Sequence, residues 1–281
     1  MKLFLIFSLL FSSSLFAKDL KVLSWNVFML PKPIKLSWQK YRTKIIAEKL
    51  AQTDYDFLFL QEAFIGDFRS ALKSKLATTY PHSFYLNMAK LSPRVMGSGL
   101  FVMSKHPFKV LDKEFFRACA TADCGAAKGS VLVEATLASG KVAQFALTHM
   151  QAYERYGRKR ISQLKQINAM LERNRRADVP QFLLGDLNID PSEPEFAEGQ
   201  TLTGMTSFDL SGDVDHTADL TNDCYKTAGD GIHNSWLDHM WTKGATAGLS
   251  RMQVKIMDFD YYGKKCFLSD HHAVEAVISL N

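Results

Sequence analysis

The stretch LSDHHAVEAV, residues 268–277, sets one carboxylate and two imidazoles ahead of an apolar alternation. A histidine beside an acid suits general-base chemistry: the acid orients the ring, and the ring takes a proton from water. In an extended chain, successive side chains point to opposite sides, so Asp270 and His271 are expected to diverge. His272 shares its side with Val274 and Ala276 and is expected to be a packed or hydrogen-bonded support residue.

Similar polar groups close other apolar runs. Asn26 follows KVLSW, Glu62 follows FLFLQ, His149 follows QFALT, Asp186 and Asn188 follow FLLG, and Asp238 follows NSWL. Taken singly, each is a turn residue, a cap or an exposed acid. Taken together they offer hard oxygen donors for a divalent cation and two histidines able to carry positive charge near a phosphate. In GDLNID (185–190), Asp186 and Asn188 share a side if the chain is extended, and Leu187 and Ile189 anchor the other. Gly185 permits a close backbone approach or an unusual turn there. An acid and an amide so placed can orient water and hold a phosphoryl oxygen, as metal-assisted phosphodiester hydrolysis requires.

Strands must carry these groups to one place. Apolar runs rich in β-branched and aromatic residues recur at 20–27, 56–62, 98–104, 130–137, 141–149, 181–186, 237–242, 252–259 and 272–280. Helical spacing appears at Phe68, Leu72 and Leu76, and again at Ile161, Leu164, Ile167 and Leu171. The segment 130–149 reads as a hairpin turning at Ala138, Ser139 and Gly140, so antiparallel pairing is expected and a purely parallel sheet is not. Many strands with a few long helices predict an α/β (α+β) fold of two mainly antiparallel sheets with helices packed outside. Scattered strand ends then meet in one cleft at an edge of the sandwich.

With 281 residues, 47% hydrophobic and 22% charged, the chain can bury a large core and shows no sign of disorder. Residues 1–17, MKLFLIFSLLFSSSLFA, have one early lysine, an apolar run and a small-residue end, which is the pattern of a cleaved export signal. Three serines break the run too early for a membrane-spanning helix. Residues 18–281 are expected to form a single catalytic domain and a monomer, secreted or periplasmic. Losing Lys2 takes the charge from +5 to +4, which suits an anionic partner without naming it. Four cysteines in an exported chain suggest bridges, with Cys119–Cys124 first and Cys224–Cys266 following; the alternative is four free thiols.

The ordered motifs SWNV (24–27), LQEAF (60–64), SGLFVMSKHP (98–107), THMQA (148–152), GDLNID (185–190), LDHMW (237–241) and SDHHAV (269–274) resemble the endonuclease/exonuclease/phosphatase superfamily, whose fold is DNase I-like. THMQA is similar to the histidine-leucine-glutamine-alanine stretch of neutral sphingomyelinases, and the export signal suits their secreted bacterial type. The resemblance implies a four-layer sandwich and a Mg2+-dependent phosphodiesterase, with Mn2+ or Co2+ able to substitute, that splits sphingomyelin into ceramide and phosphocholine. It implies Glu62 as the principal metal ligand, assisted by Asn26. Asp186 and Asn188 would bind the attacking water and phosphate. His271 would be the base, oriented by Asp270, and His149 would stabilise the transition state, oriented by Asp238.

Two positions depart from that pattern: His239 stands where the family usually has tyrosine, and Met150 replaces leucine. Phe259, Tyr261 and Tyr262, just before Gly263, are candidates for an aromatic hairpin that contacts a membrane surface. The basic run RYGRKR (155–160) could meet anionic headgroups or nucleic-acid phosphates, but at the start of an amphipathic helix it reads as a solvated face. The alternatives are a secreted nuclease of the same fold, since nucleic acid offers the same phosphodiester, and a phosphoinositide phosphatase; a non-enzymatic module is disfavoured because none of the expected catalytic side chains is replaced.

Overall fold

The computed structural model describes residues 19–32, 34, 37–88, 93–137, 140–219, 234–243 and 247–280. The expected export signal and Cys224 lie outside them. One sheet has seven strands, in the order β10 (Ser211–Gly212), β12 (Ala247–Lys255), β15 (Ala273–Leu280), β1 (Leu20–Asn26), β2 (Phe57–Gln61), β4 (Phe101–Ser104) and β3 (His82–Tyr85). The other has six, in the order β5 (Phe108–Phe115), β6 (Gly129–Thr136), β7 (Val142–His149), β8 (Gln181–Asp186), β11 (Asp238–Lys243) and β9 (Thr206–Ser207). A separate hairpin joins β13 (Asp258–Tyr261) to β14 (Lys264–Phe267).

Alternation along the strands builds the layers. Phe57 and Phe59 on β2, Phe145 on β7 and Phe182 on β8 meet between the sheets, with Phe145 centroids 5.2–5.4 Å from the other three rings. Their neighbours face outward. Leu58 and Leu60 pack against helices α1 (Gln39–Ala51) and α2 (Gly66–Lys75), while Ala146 and Leu183 pack against α3 (Gly157–Arg173). A fourth helix, α4 (Pro194–Thr203), begins with proline in its first turn, where a missing N–H costs nothing, and lies beside α3. The result is a four-layer α+β sandwich, as expected. Each large apolar side chain buried in it contributes about 1.5–3 kcal/mol.

Most pairings are antiparallel, but β1 with β2, β7 with β8, and β10 with β12 are parallel. The run expected as one strand over 252–259 is two: β12 stays paired to β15 as far as Lys255, and β13 then leaves to form its hairpin. The helical spacings at 68–76 and 161–171 fall on α2 and α3. The turn residues Ala138 and Ser139 are outside the described residues, but β6 and β7 pair antiparallel as far as Thr136 and Val142.

Candidate active site

Register brings three of the expected groups side by side. Parallel pairing sets His149 on β7 against Asp186 on β8, and antiparallel pairing sets Asp186 against Asp238 on β11. Gly185 allows this closeness: its φ is +130°, and a Cβ there would lie 2.1 Å from the Thr148 carbonyl oxygen. From the other sheet, Asn26 ends β1 opposite Gln61, and Glu62 follows in a left-handed conformation with φ +55°. The Asn26 amide nitrogen donates to Asp186 Oδ2 at 3.0 Å and to Glu62 Oε1 at 3.3 Å. Its oxygen accepts the Phe28 N–H at 3.1 Å. Asn26 therefore bridges the two sheets and ties two acids together.

His271 lies just ahead of β15, and its partner differs from the expected one. Its Nδ1 is 2.7 Å from Asp238 Oδ2, and its Nε2 is 3.8 Å from Asp186 Oδ2. Asp238, not Asp270, orients the ring. The reason is parity: Asp270 points away from the ring of its neighbour, and its charge acts on Glu62. Two backbone bonds hold the segment, Trp25 Nε1–H to the His271 carbonyl at 2.9 Å and the His271 N–H to Ser269 Oγ at 3.2 Å.

His149 likewise is not held by Asp238. Its Nε2 lies 3.0 Å from Lys128 Nζ and 3.4 Å from Asp186 Oδ2, and its Nδ1 is buried without a partner. Burial, with the charges of Lys128 and His271, drives the pKa of His149 well below the usual value. The cation at this corner is therefore Lys128, which the sequence reading missed. Its ammonium also donates to the Met150 carbonyl at 2.7 Å and to Asp123 Oδ2 at 2.8 Å. The one signal it carried was its place in AAKGSV, immediately before a strand.

Asn188 does not continue an extended strand. β8 ends at Asp186, Asn188 has φ +53°, and its N–H donates back to Asp186 Oδ1 at 3.0 Å. Its side-chain amide donates to the Met150 carbonyl at 3.3 Å. Leu187 and Ile189 are both fully buried and anchor the turn from below. His239, the departure from tyrosine, sits under the site with Nε2 2.7 Å from the Ile189 carbonyl and its ring stacked on Trp236.

Burial sets the electrostatics. It raises Glu62 to about 8, with the charge of Asp270 adding to the effect. Asp186 rises to about 6, again by burial first and then by Asp238. Asp270 is raised by burial too. Burial opposes the charge on His271, but Asp238 and Asp186 outweigh it and lift this histidine well above its usual value. Crowded buried acids of this kind fit a divalent cation, which would relieve their repulsion. Glu62 Oε2 is a buried oxygen with no hydrogen-bond partner among the described residues, so Glu62 is fitted to hold one.

Around the site, the buried Arg42 guanidinium on α1 donates to the carbonyls of Phe28 and Leu268, each at 2.8 Å, joining the loops that follow Asn26 and precede Asp270. In the basic run 155–160, Arg158 is exposed, but Arg160 is fully buried between Glu193 and Glu195, so this face is only partly solvated. Phe259 is buried on the core side of the β13–β14 hairpin, packed on Tyr41, so its ring does not share the exposed face of that hairpin. Tyr261 is partly exposed and Tyr262 is 94% exposed. Cys119 and Cys124 form a disulfide, and Cys266 is also disulfide-bonded.

The structure resembles sphingomyelinase C from Streptomyces griseocarneus, with a TM-score of 0.77, 25% identity and coverage of 92% of this chain and 99% of that one. It has the fold of a variant beta toxin from Staphylococcus aureus with bound magnesium ions, with a TM-score of 0.77, 22% identity and the same coverage. A phospholipase C of Staphylococcus aureus is 27% identical over 202 residues, covering 64% of this chain and 60% of that protein. The chain thus spans about three fifths of that relative's length. The Endonuclease/Exonuclease/phosphatase family matches residues 23–271, which take in every strand end of the site, and the protein belongs to that family.

Proposed function

We propose that the protein is an exported, Mg2+-dependent phosphodiesterase that hydrolyses sphingomyelin to ceramide and phosphocholine. The observation that carries this reading is the Asp238–His271 pair. Asp238 accepts the Nδ1–H of His271, which leaves Nε2 beside Asp186 to take a proton from water when the ring is in its neutral form. Water so activated attacks phosphorus in line with the departing ceramide oxygen. The Asn188 side chain is fixed beside Asp186, where the two can hold a phosphoryl oxygen and the attacking water. At the opposite corner, the Lys128 ammonium, held 3.0 Å from His149 Nε2, stabilises the charge that develops on a second phosphoryl oxygen. A divalent cation at Glu62 supplies neutralisation of phosphoryl charge and support for the leaving alkoxide.

Lipid as the substrate is supported by an aromatic surface on the β13–β14 hairpin and α1. Tyr262, Tyr261, Tyr41 and Trp38 are exposed or partly so, and the Trp38 and Tyr261 rings lie 4.7 Å apart. Lys264 and Lys265 are exposed beside them. Aromatic and basic residues of this kind favour the headgroup level of a bilayer. The test is a substrate panel of sphingomyelin vesicles, phosphatidylcholine vesicles and plasmid DNA, with Mg2+ and with EDTA. Phosphocholine release from sphingomyelin that EDTA abolishes is the expected result; rapid cutting of DNA without lipid hydrolysis would overturn the reading.

A further inference from the structure

A second cluster lies behind the catalytic histidine. His216, Asp219 and His272 converge there, with one ligand-capable atom of each lying within 4.8 Å of the others. Asp219 Oδ2 is 3.6 Å from His216 Nε2 and 3.6 Å from His272 Nε2. Both imidazole nitrogens are buried, and among the described residues neither has a hydrogen-bond partner. His272 is 1% exposed, so its Nε2 is shielded from bulk solvent.

A separation of 3.6 Å is too long for a hydrogen bond. The two Asp219–histidine spacings do match those of donors that share a cation: ligands about 2.0–2.2 Å from Zn2+ at tetrahedral angles stand about 3.3–3.6 Å apart. Two imidazoles and one carboxylate suit Zn2+ or Co2+ and are a poor set for Mg2+, which prefers oxygen alone. His216 Nδ1 lies 3.1 Å from Asp215 Oδ1, the carboxylate contact that commonly orients a metal-bound histidine. The Phe267 ring, 4.9 Å from His272, walls one side.

We propose that His216, Asp219 and His272 form a binding site for one transition-metal dication of the Zn2+ type, separate from the Glu62 centre. Its three ligands leave a fourth position for water. The site braces the catalytic pair. His272 N–H donates to the Thr217 carbonyl at 2.7 Å, and Asp219 N–H to the Asp270 carbonyl at 2.8 Å, so the 217–219 loop is tied to the segment bearing His271. Thr217 Oγ1 accepts the N–H groups of Leu237 and Asp238, each at 2.9 Å, which ties the same loop to the residue that orients His271. A cation clamping this loop fixes the two segments that carry Asp238 and His271.

The test is Zn2+ binding by the purified protein, stripped with EDTA, re-equilibrated in millimolar Mg2+ and titrated against a chromophoric chelator. Wild type should take up one Zn2+ equivalent in the presence of that Mg2+, with a raised Tm, and Co2+ in its place should give visible absorption. His216→Ala, at a partly exposed loop position, should lower the affinity more than about 100-fold while the circular dichroism stays native. Glu62→Gln should leave it intact. The absence of a Zn2+ equivalent that resists Mg2+ would overturn the site, as would one that survives His216→Ala or is lost with Glu62→Gln.

Discussion

Asp238 and His271 come from different sheets and meet at 2.7 Å, Oδ2 to Nδ1, whereas Asp270, the chain neighbour of His271, turns its charge on Glu62. Two buried acids thus have separable tasks. Asp238→Asn removes the carboxylate that raises the His271 pKa, and it is expected to cost about 10²- to 10⁴-fold in kcat at saturating Mg2+. Asp270→Asn should instead shift the Mg2+ titration and change kcat less. Parallel metal titrations of the two variants check this.

Lys128 gives the His149 corner its positive charge. Lys128→Met should lower kcat about 10- to 1000-fold, because a preorganised charge facing the phosphoryl group is lost. It should also raise the His149 pKa, since the Lys128 charge helps to depress it. Histidine NMR titration of the variant reads the second effect independently of turnover.

Gly185 secures the register that pairs His149 with Asp186. An alanine there would place its Cβ 2.1 Å from the Thr148 carbonyl oxygen, at a φ of +130°. Gly185→Ala is expected to cost about 3 kcal/mol or more in unfolding free energy. Denaturant unfolding with m-values compared to wild type measures it.

His239 predicts an acid limb of stability. Its pKa in the fold is lowered to about 4, chiefly by burial, from 6.5 when exposed, and its Nδ1 is buried without a partner. The folded form therefore binds the proton less readily than the unfolded chain. Stability from this group is complete above pH 6.5 and declines as pH falls through the window to about 4, by about 3 kcal/mol in all. His239→Gln should keep a donor to the Ile189 carbonyl and flatten this limb. Unfolding curves from pH 7 to 4 compare the two proteins.

Much of this was legible in the chain. The alternation of Phe57 and Phe59 with Leu58 and Leu60 announces a strand buried on both faces, and the polar strand ends mark one rim of the sandwich. Partner choice was harder, because register between distant strands decides it and short-range pattern does not. Pairing His271 with Asp270 went against the very parity that sends them apart. Lys128 closes no apolar run, and His216 and Asp219 lie in a loop without periodicity, so their positions follow only from what the sheets bring near. Asn188 shares a side with Asp186 only if the chain is extended, whereas the backbone turns left-handed there, a conformation asparagine tolerates better than most residues.

The central claim is that His271 takes the proton from water, and the most direct test is the ratio of kcat for wild type and His271→Ala on sphingomyelin vesicles at saturating Mg2+. A loss of about 10²- to 10⁴-fold, roughly 3–5 kcal/mol of barrier, with unchanged circular dichroism and Tm within a few degrees, is the predicted result. Turnover within a few-fold of wild type would contradict it.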